Sequence, residues 1–365
     1  MLQVLPALHA GGVERGTLEI SRHLVQNGHR SLVMSAGGRM LPQLEAEGST
    51  HFNWNIGKKS LFTLRLVPRL RQFLIEQNVD ILHLRSRMPA WIGYLAWRTM
   101  DPATRPKLVT TVHGAYTVNA YSAVMTKGER VIAVSETIRS YILANYPQVD
   151  PALIRLIYRG VDPIEFPRGY QPDNTWLDKW RNDYPQLAGK IVITLPGRIT
   201  RWKGQQDFIQ LIARLKHAGI KVHGVMAGEA DPKKRAFLEE LKTQICALNL
   251  EHDISMIDHR TDLKEVMAVS DIVLSLSQDP EAFGRTSPEA LSLGIPVVGY
   301  NHGGVGEVLN ALFPAGLVPL GDLDMLENTI KNCLAHPCNI AINEAFTLSN
   351  MQKNTLAVYR ELISG

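Results

Sequence analysis

The sequence lacks several things, and each absence removes a class of protein. No apolar run in its 365 residues approaches the roughly 20 needed to cross a bilayer, so a helical integral membrane protein is not expected. Cysteine is scarce. Cys246, Cys333 and Cys338 are odd in number and have no His/Cys companions at zinc-finger spacing, which argues against a disulfide framework or a structural metal and fits a reducing compartment. Residues 1–12 have no basic leader and no long apolar core, so no signal peptide is read there and the cytoplasm is the expected location. Aromatics make up 7%, are not interleaved with the basic residues, and accompany no helix-turn-helix pattern, so nucleic acid is not an expected partner. Low-complexity tracts and short-period repeats are absent as well.

What is present is the composition of an ordinary globular protein, 45% hydrophobic and 20% charged. The length suggests two domains, each with its own core. The net charge of +4 is unevenly spread: residues 1–163 hold 19 Lys/Arg against 11 Asp/Glu, while the remainder hold 20 against 24. A basic first half suggests an anionic partner, whether a phosphorylated sugar, a membrane surface or a nucleic acid.

Short β-branched runs alternate with amphipathic stretches, the pattern of βαβ units around a parallel sheet. Strands are expected at 2–5, 31–34, 81–84, 108–112, 131–134 and 154–157, then at 191–195, 222–226, 254–257, 272–276 and 296–298, with helices such as 13–26 and 63–77 between them. The turn-rich Tyr158-Arg159-Gly160-Val161-Asp162-Pro163, followed by the Pro/Gly-containing 166–174, marks a hinge. The expected domains are therefore 1–163 and 164–349.

In open α/β sheets ligands bind beyond the carboxyl ends of the strands, which singles out a few loops. After the first strand, Gly11-Gly12 would let backbone approach a phosphate as a helix begins; a plain turn is the alternative. After 191–195, Gly197-Arg198 and Lys203-Gly204 place two cations where both could meet one diphosphate. After 272–276 comes Glu281-Ala282-Phe283-Gly284-Arg285-Thr286-Ser287-Pro288-Glu289, with Ser287 expected to cap a helix that opens at Pro288. Glu281 and Glu289 could hold two polyhydroxyl groups on either side of a phosphate, or be a solvated loop residue and a helix-dipole partner.

Taken together, Pro196-Gly197-Arg198, Lys203-Gly204, Met226-Ala227-Gly228-Glu229, Ala268-Val269-Ser270-Asp271, Glu281 through Glu289, Gly294-Ile295-Pro296-Val297-Val298 and Gly303-Gly304-Val305-Gly306-Glu307 resemble, in order, the retaining glycosyltransferases of family 4. In the first half Gly11-Gly12, Thr111-Val112-His113-Gly114 and Gly160-Val161-Asp162 also match. The resemblance implies a GT-B fold, α/β with two Rossmann-like domains facing across a cleft, the first binding acceptor and the second a UDP- or GDP-linked sugar. A C-terminal helix, 350–365, would cross back to the first domain.

By the same resemblance Arg198 and Lys203 bind the donor diphosphate, Glu281 the sugar hydroxyls and Glu289 the ribose. Gly197, Phe283, Gly284 and Arg285 complete the donor loops, His113 contacts the sugar and Gly12, beside Gly11, lies against the phosphate. No metal or other cofactor is implied, because cationic side chains and a helix N-terminus take the ion's place. Arg285-Thr286-Ser287-Pro288 departs from the family's usual apolar run, and Arg159 stands where the hinge often has Asn.

The activity implied is hexose transfer with retention to a glycolipid or oligosaccharide, of the kind made in bacterial lipopolysaccharide or cell-envelope synthesis. The leaving phosphate takes the acceptor's proton, so no residue is assigned as general base; Glu14 and His113 are the two considered. A GT-B sugar-nucleotide epimerase and a non-catalytic nucleotide-sugar-binding module are the alternatives. For the acceptor, the basic first half suggests an anionic glycolipid met by Arg85 and Arg87, with Glu14 nearby. Residues 58–71 mix five cations with bulky apolar side chains, as a peripheral contact with the inner face of an anionic membrane would require.

Overall fold

The apolar runs become strands because both of their faces are covered. Among the described residues thirteen strands form two all-parallel sheets, and all but the edge strands are buried over most or all of their length, as expected where helices lie on each side. The computed structural model describes residues 1–9, 11–229 and 235–364. The chain divides into two compact units, Met1–Gly160 with Leu348–Gly365, and Val161–Thr347.

In unit 1 the strands are β1 (Leu2–Val4), β2 (Leu32–Ser35), β3 (Thr50–Asn53), β4 (Ile81–Leu84), β5 (Lys107–Val112), β6 (Arg130–Ala133) and β7 (Ile154–Leu156). Their spatial order is β3-β2-β1-β4-β5-β6-β7, so the winding reverses between β1 and β4. The helices are α1 (Gly12–Gln26), α2 (Leu41–Ala46), α3 (Leu66–Glu76), α4 (Arg87–Arg98), α5 (Glu136–Asn145) and, from the other end of the chain, α13 (Leu348–Ser364). The expected helix at 63–77 divides: Leu61–Arg65 is a 3-10 turn and α3 follows it. Pro68, the third residue of α3, does not break it, since that N–H has no intrahelical partner to lose.

α13 presents Met351, Leu356, Val358, Tyr359 and Leu362 to Ile20 and Leu24 of α1, to Ile81, Val109 and Ile132 of the sheet and to Ile157 just beyond β7. Each such burial is worth about 1.5–3 kcal/mol. A polar thread runs through this layer, with the Tyr359 hydroxyl 2.7 Å from Nδ1 of His83 and Thr111 Oγ1 2.6 Å from its Nε2.

Unit 2 holds α6 (Asn174–Asp183), β8 (Ile191–Pro196), α7 (Gln205–His217), β9 (Val222–Ala227), α8 (Arg235–Ala247), β10 (Ile254–Ile257), α9 (Leu263–Ala268), β11 (Ile272–Ser275), α10 (Thr286–Leu293), β12 (Val297–Tyr300), α11 (Gly303–Leu312), β13 (Leu317–Val318) and α12 (Leu323–Ala335). The order β10-β9-β8-β11-β12-β13 reverses between β8 and β11. Where the chain enters and leaves this unit, Val161 N–H donates to the Phe346 carbonyl at 2.9 Å, and Val161 bridges Thr347.

Two edge strands, β3 and β13, go beyond the sequence reading. Thr50-His51-Phe52-Asn53 is polar but for Phe52 and has both ends exposed, and Leu317–Val318 spans two residues. Among the described residues no helix is long and apolar enough to cross a membrane.

Candidate active site

In each unit, the loops singled out from sequence are the ones that flank the strand-order reversal, where helix N-termini and loop backbone converge. In unit 2 these loops follow β8 and β11. Gly204 sits at φ +76°, and a Cβ there would lie 2.0 Å from the Leu276 carbonyl oxygen, so only glycine lets the first loop rest on the end of β11. That contact delivers the Lys203 ammonium to Glu281, Nζ to Oε1 at 2.8 Å, with both side chains about five-sixths buried. The same oxygen accepts the Ser277 hydroxyl at 2.5 Å.

The backbone of this corner is fixed in turn. His302 Nε2 donates to the Ser277 carbonyl at 2.6 Å, and Gly304 N–H to the Glu281 carbonyl at 2.8 Å. A Cβ on Gly304 would stand 2.4 Å from Phe283 Cα, so the start of α11 packs directly on the acidic loop. Arg198 is exposed beside Gly197; its carbonyl accepts from Gln205 Nε2 at 3.1 Å, which anchors the backbone and leaves the guanidinium at the surface.

α10 begins at Thr286 with Arg285 at its N-cap, so Ser287 does not cap it. Ser287 lies inside the first turn, and its buried hydroxyl has no hydrogen-bond partner among the described residues. Glu289 is buried in that turn with Arg285 Nε 3.4 Å from its Oε1. Gly284 is left-handed (φ +74°) and Phe283 packs edge-on against Phe346 at 5.7 Å.

In unit 1 the flanking loops follow β1 and β4. Gly11 caps α1, Gly12 is its first residue, and Glu14 folds back over Gly11, its carboxylate at the positive end of the helix. Ala10 of this loop lies outside the described residues. Arg85 does not reach outward from the end of β4, as its position after the strand suggests. Instead it is 1% exposed and turned inward: Nη1 donates to Gln3 Oε1 at 2.7 Å, and Nη2 lies 3.2 Å from where a Cβ of Gly16 would be. The cause is Gly16 itself, whose missing side chain leaves room against α1 for the guanidiniums of both Arg85 and Arg159.

Arg87, half-buried, stacks on Tyr116 and Tyr121 at 4.8 and 5.5 Å. His113, at the end of β5, accepts a hydrogen bond at Nδ1 from Arg159 Nη2, so its proton resides on Nε2. Burial, with Arg159 and Arg85 adding to it, holds its pKa well below the usual imidazole value. Its Nε2 is buried and makes no hydrogen bond among the described residues.

Sequence reasoning missed Ser277, His302 and Gly16. The first two had a signal, one directly after β11 and the other at the head of α11. Gly16 had none, because its neighbours come from residues 85 and 159. Among the described residues no three His, Cys, Asp or Glu side chains gather as a metal set would. The chain's one Asp-x-Asp is engaged elsewhere, Asp322 capping α12 and Asp324 paired with Arg214.

Residues 10–165 match Glycosyltransferase Family 4, and residues 178–347 match Glycosyl transferases group 1. A glycosyltransferase from Rickettsia africae is 30% identical with a TM-score of 0.87, over 100% of this chain and 98% of that one. Anabaena HepE, solved with UDP and glucose, shares the fold at 22% identity and a TM-score of 0.84, over 99% of both chains. N-acetyl-alpha-D-glucosaminyl L-malate synthase of Bacillus anthracis is 25% identical over 87% of this chain and 82% of its own length. The phosphatidylinositol N-acetylglucosaminyltransferase GPI3 subunit of Saccharomyces cerevisiae is 24% identical over 97% of this chain and 80% of its own length.

Proposed function

The chain belongs to the family 4 glycosyltransferases of GT-B fold, and we propose that it transfers a hexose, with retention, from a UDP- or GDP-linked donor to an anionic glycolipid or oligosaccharide of the bacterial cell envelope. The observation that carries this reading is the Lys203–Glu281–Ser277 corner beside Arg198 at the strand-order reversal of unit 2. Two cations suit a diphosphate and an adjoining carboxylate suits sugar hydroxyls. HepE, with its UDP and glucose, supports a nucleotide-sugar donor.

In the proposed reaction the bond from the anomeric carbon to the leaving phosphate oxygen breaks, and the acceptor oxygen bonds to the same face. The acceptor's proton passes to the departing phosphate. Arg198 and Lys203 stabilise the charge that builds on the diphosphate. Glu281 orients the sugar, and Glu289 holds the ribose, exchanging its bond to Arg285. The loop backbone at Gly197, Phe283, Gly284, Gly11 and Gly12 receives the donor. His113, held neutral with its proton on Nε2, donates to a sugar hydroxyl and is not an acid. No metal is assigned a part.

For the acceptor, Arg87 is the better placed of the two arginines, being half-buried where Arg85 is fully buried and bonded to Gln3. The relative named for phosphatidylinositol supports a lipid acceptor, and the exposed cations of residues 58–71 suit peripheral contact with the inner face of an anionic membrane. A panel of UDP-, GDP- and ADP-sugars tests the function. One nucleotide should be released slowly without acceptor and faster with it. Interconversion of the sugar nucleotide would support an epimerase instead, and binding without release a non-catalytic module.

A further inference from the structure

Unit 1 carries an apolar cavity of about 530 Å³ on the side of α4 that faces the Leu61–Arg65 turn, with Leu61, Leu64, Met88, Trp91 and Tyr121 in its wall and Lys59 at its rim. We propose that this cavity receives the hydrocarbon chain of the acceptor. The proposal rests on the lipid-acceptor reading above and adds where the lipid is held.

The cavity is built rather than incidental. Ser60 caps the turn by accepting from Phe62 N–H at 3.3 Å, and the buried Thr63 hydroxyl donates to the Lys58 carbonyl at 2.8 Å. With Thr63 pinned inward, Leu61, Phe62 and Leu64 are held outward, 84%, 71% and 42% exposed. Three large apolar side chains fixed side by side in water mark a surface made to be covered. On the opposite wall Trp91 Nε1 donates to the Tyr121 carbonyl at 2.9 Å, which satisfies the indole's polar atom within the protein.

Charge selects an anionic amphiphile as the occupant. Between Glu47 and Glu76 there is no acidic residue, while Lys58, Lys59, Arg65, Arg69 and Arg71 are all exposed. Lys59 lies 5.9 Å from the Tyr121 ring centroid, and Arg87 stacks on the same ring. A phosphate-bearing head could meet these cations while its tail lies on the apolar wall. Position supports an acceptor in particular. Met88 and Trp91 stand in the first turns of α4, about 6 Å along the helix from Arg87 to Trp91, at the carboxyl end of β4 where an α/β sheet receives its ligand.

Binding of monomeric dodecyl phosphate, followed by tryptophan fluorescence, tests the proposal, with glycerol phosphate as the tail-less control. The expected result is saturable binding of dodecyl phosphate alone, with the signal lost in Trp91→Phe and affinity reduced at least about tenfold in a Leu61→Ser, Leu64→Ser double variant. Donor hydrolysis without acceptor should be unchanged in these variants, so failure here is distinguishable from failure of the transferase reading. Equal binding by the double variant would overturn the proposal. So would flotation with phosphatidylglycerol vesicles that Leu61→Ser, Leu64→Ser abolishes while dodecyl phosphate binding persists, since the patch would then be a membrane anchor only. A wild-type dimer that the double variant dissociates would assign the surface to a second copy and likewise overturn it.

Discussion

The Lys203 ammonium lies 2.8 Å from the Glu281 carboxylate, joining the loop after β8 to the loop after β11. Seventy-eight residues separate the two in sequence. The pair neutralises two mostly buried charges, and under the proposed function it sets the carboxylate meant for the sugar beside the cation meant for the diphosphate.

Arg198→Ala and Lys203→Ala should each reduce turnover by at least ~10²-fold, the size expected when one preorganised charge-stabilising donor is removed. Arg198→Ala should leave the thermal midpoint unchanged, because its guanidinium is exposed. Lys203→Ala should lower it, because Glu281 keeps only Ser277. Steady-state kinetics alongside thermal unfolding check both, and near-normal turnover in either variant would remove that residue from its role.

Transfer should persist in excess EDTA, since the reading gives the diphosphate's charge to Arg198, Lys203 and the N-terminus of α10. A loss on chelation that Mn²⁺ or Mg²⁺ restores would contradict it.

His113 should contribute no inflection near pH 6.5 to the pH–rate profile, because burial and the two arginines keep it uncharged there. His113→Ala should slow transfer, and His113→Asn, which keeps an N–H donor, should recover part of the rate. An inflection near pH 6.5 that vanishes in His113→Asn would show a titrating histidine instead.

Stability should fall as pH drops below about 6.5. Burial depresses the imidazoles of His83 and His113 in the folded chain and lowers His223 to about 4. Each is neutral when folded and takes its proton first when unfolded, so the stabilisation is complete above the ordinary value of 6.5 and is lost on descent toward the folded value. Thermal midpoints measured from pH 8 to pH 4 check this, and a midpoint constant to pH 4 would refute it.

Tyr359→Phe should cost about 1 kcal/mol by leaving buried His83 one partner short, and Leu362→Ala about 2–5 kcal/mol through the cavity it opens under α13. Denaturant unfolding gives both numbers. Values near zero would mean that α13 contributes little to the core of unit 1.

The sequence by itself determined the class of fold and most of its strands. β4 and β10 begin and end where the sequence places them, because periodicity and turn chemistry are local, and strands covered on both faces, such as β9 and β11, leave a largely apolar record. β3, β13 and the start of α10 were not legible. A largely polar edge strand exists only through its neighbour, and at α10 the loop geometry around Gly284 sets the first turn two residues ahead of the expected one, over Ser287's capping chemistry. Composition and motif order nominated Arg198, Lys203, Glu281 and His113. Only the tertiary structure decided that Lys203 and Glu281 meet, that Arg159 sets the tautomer of His113, and that Arg85 turns inward against Gly16. Each of these depends on side chains brought together from distant parts of the chain, and a charge's exposure is set by what the fold packs around it.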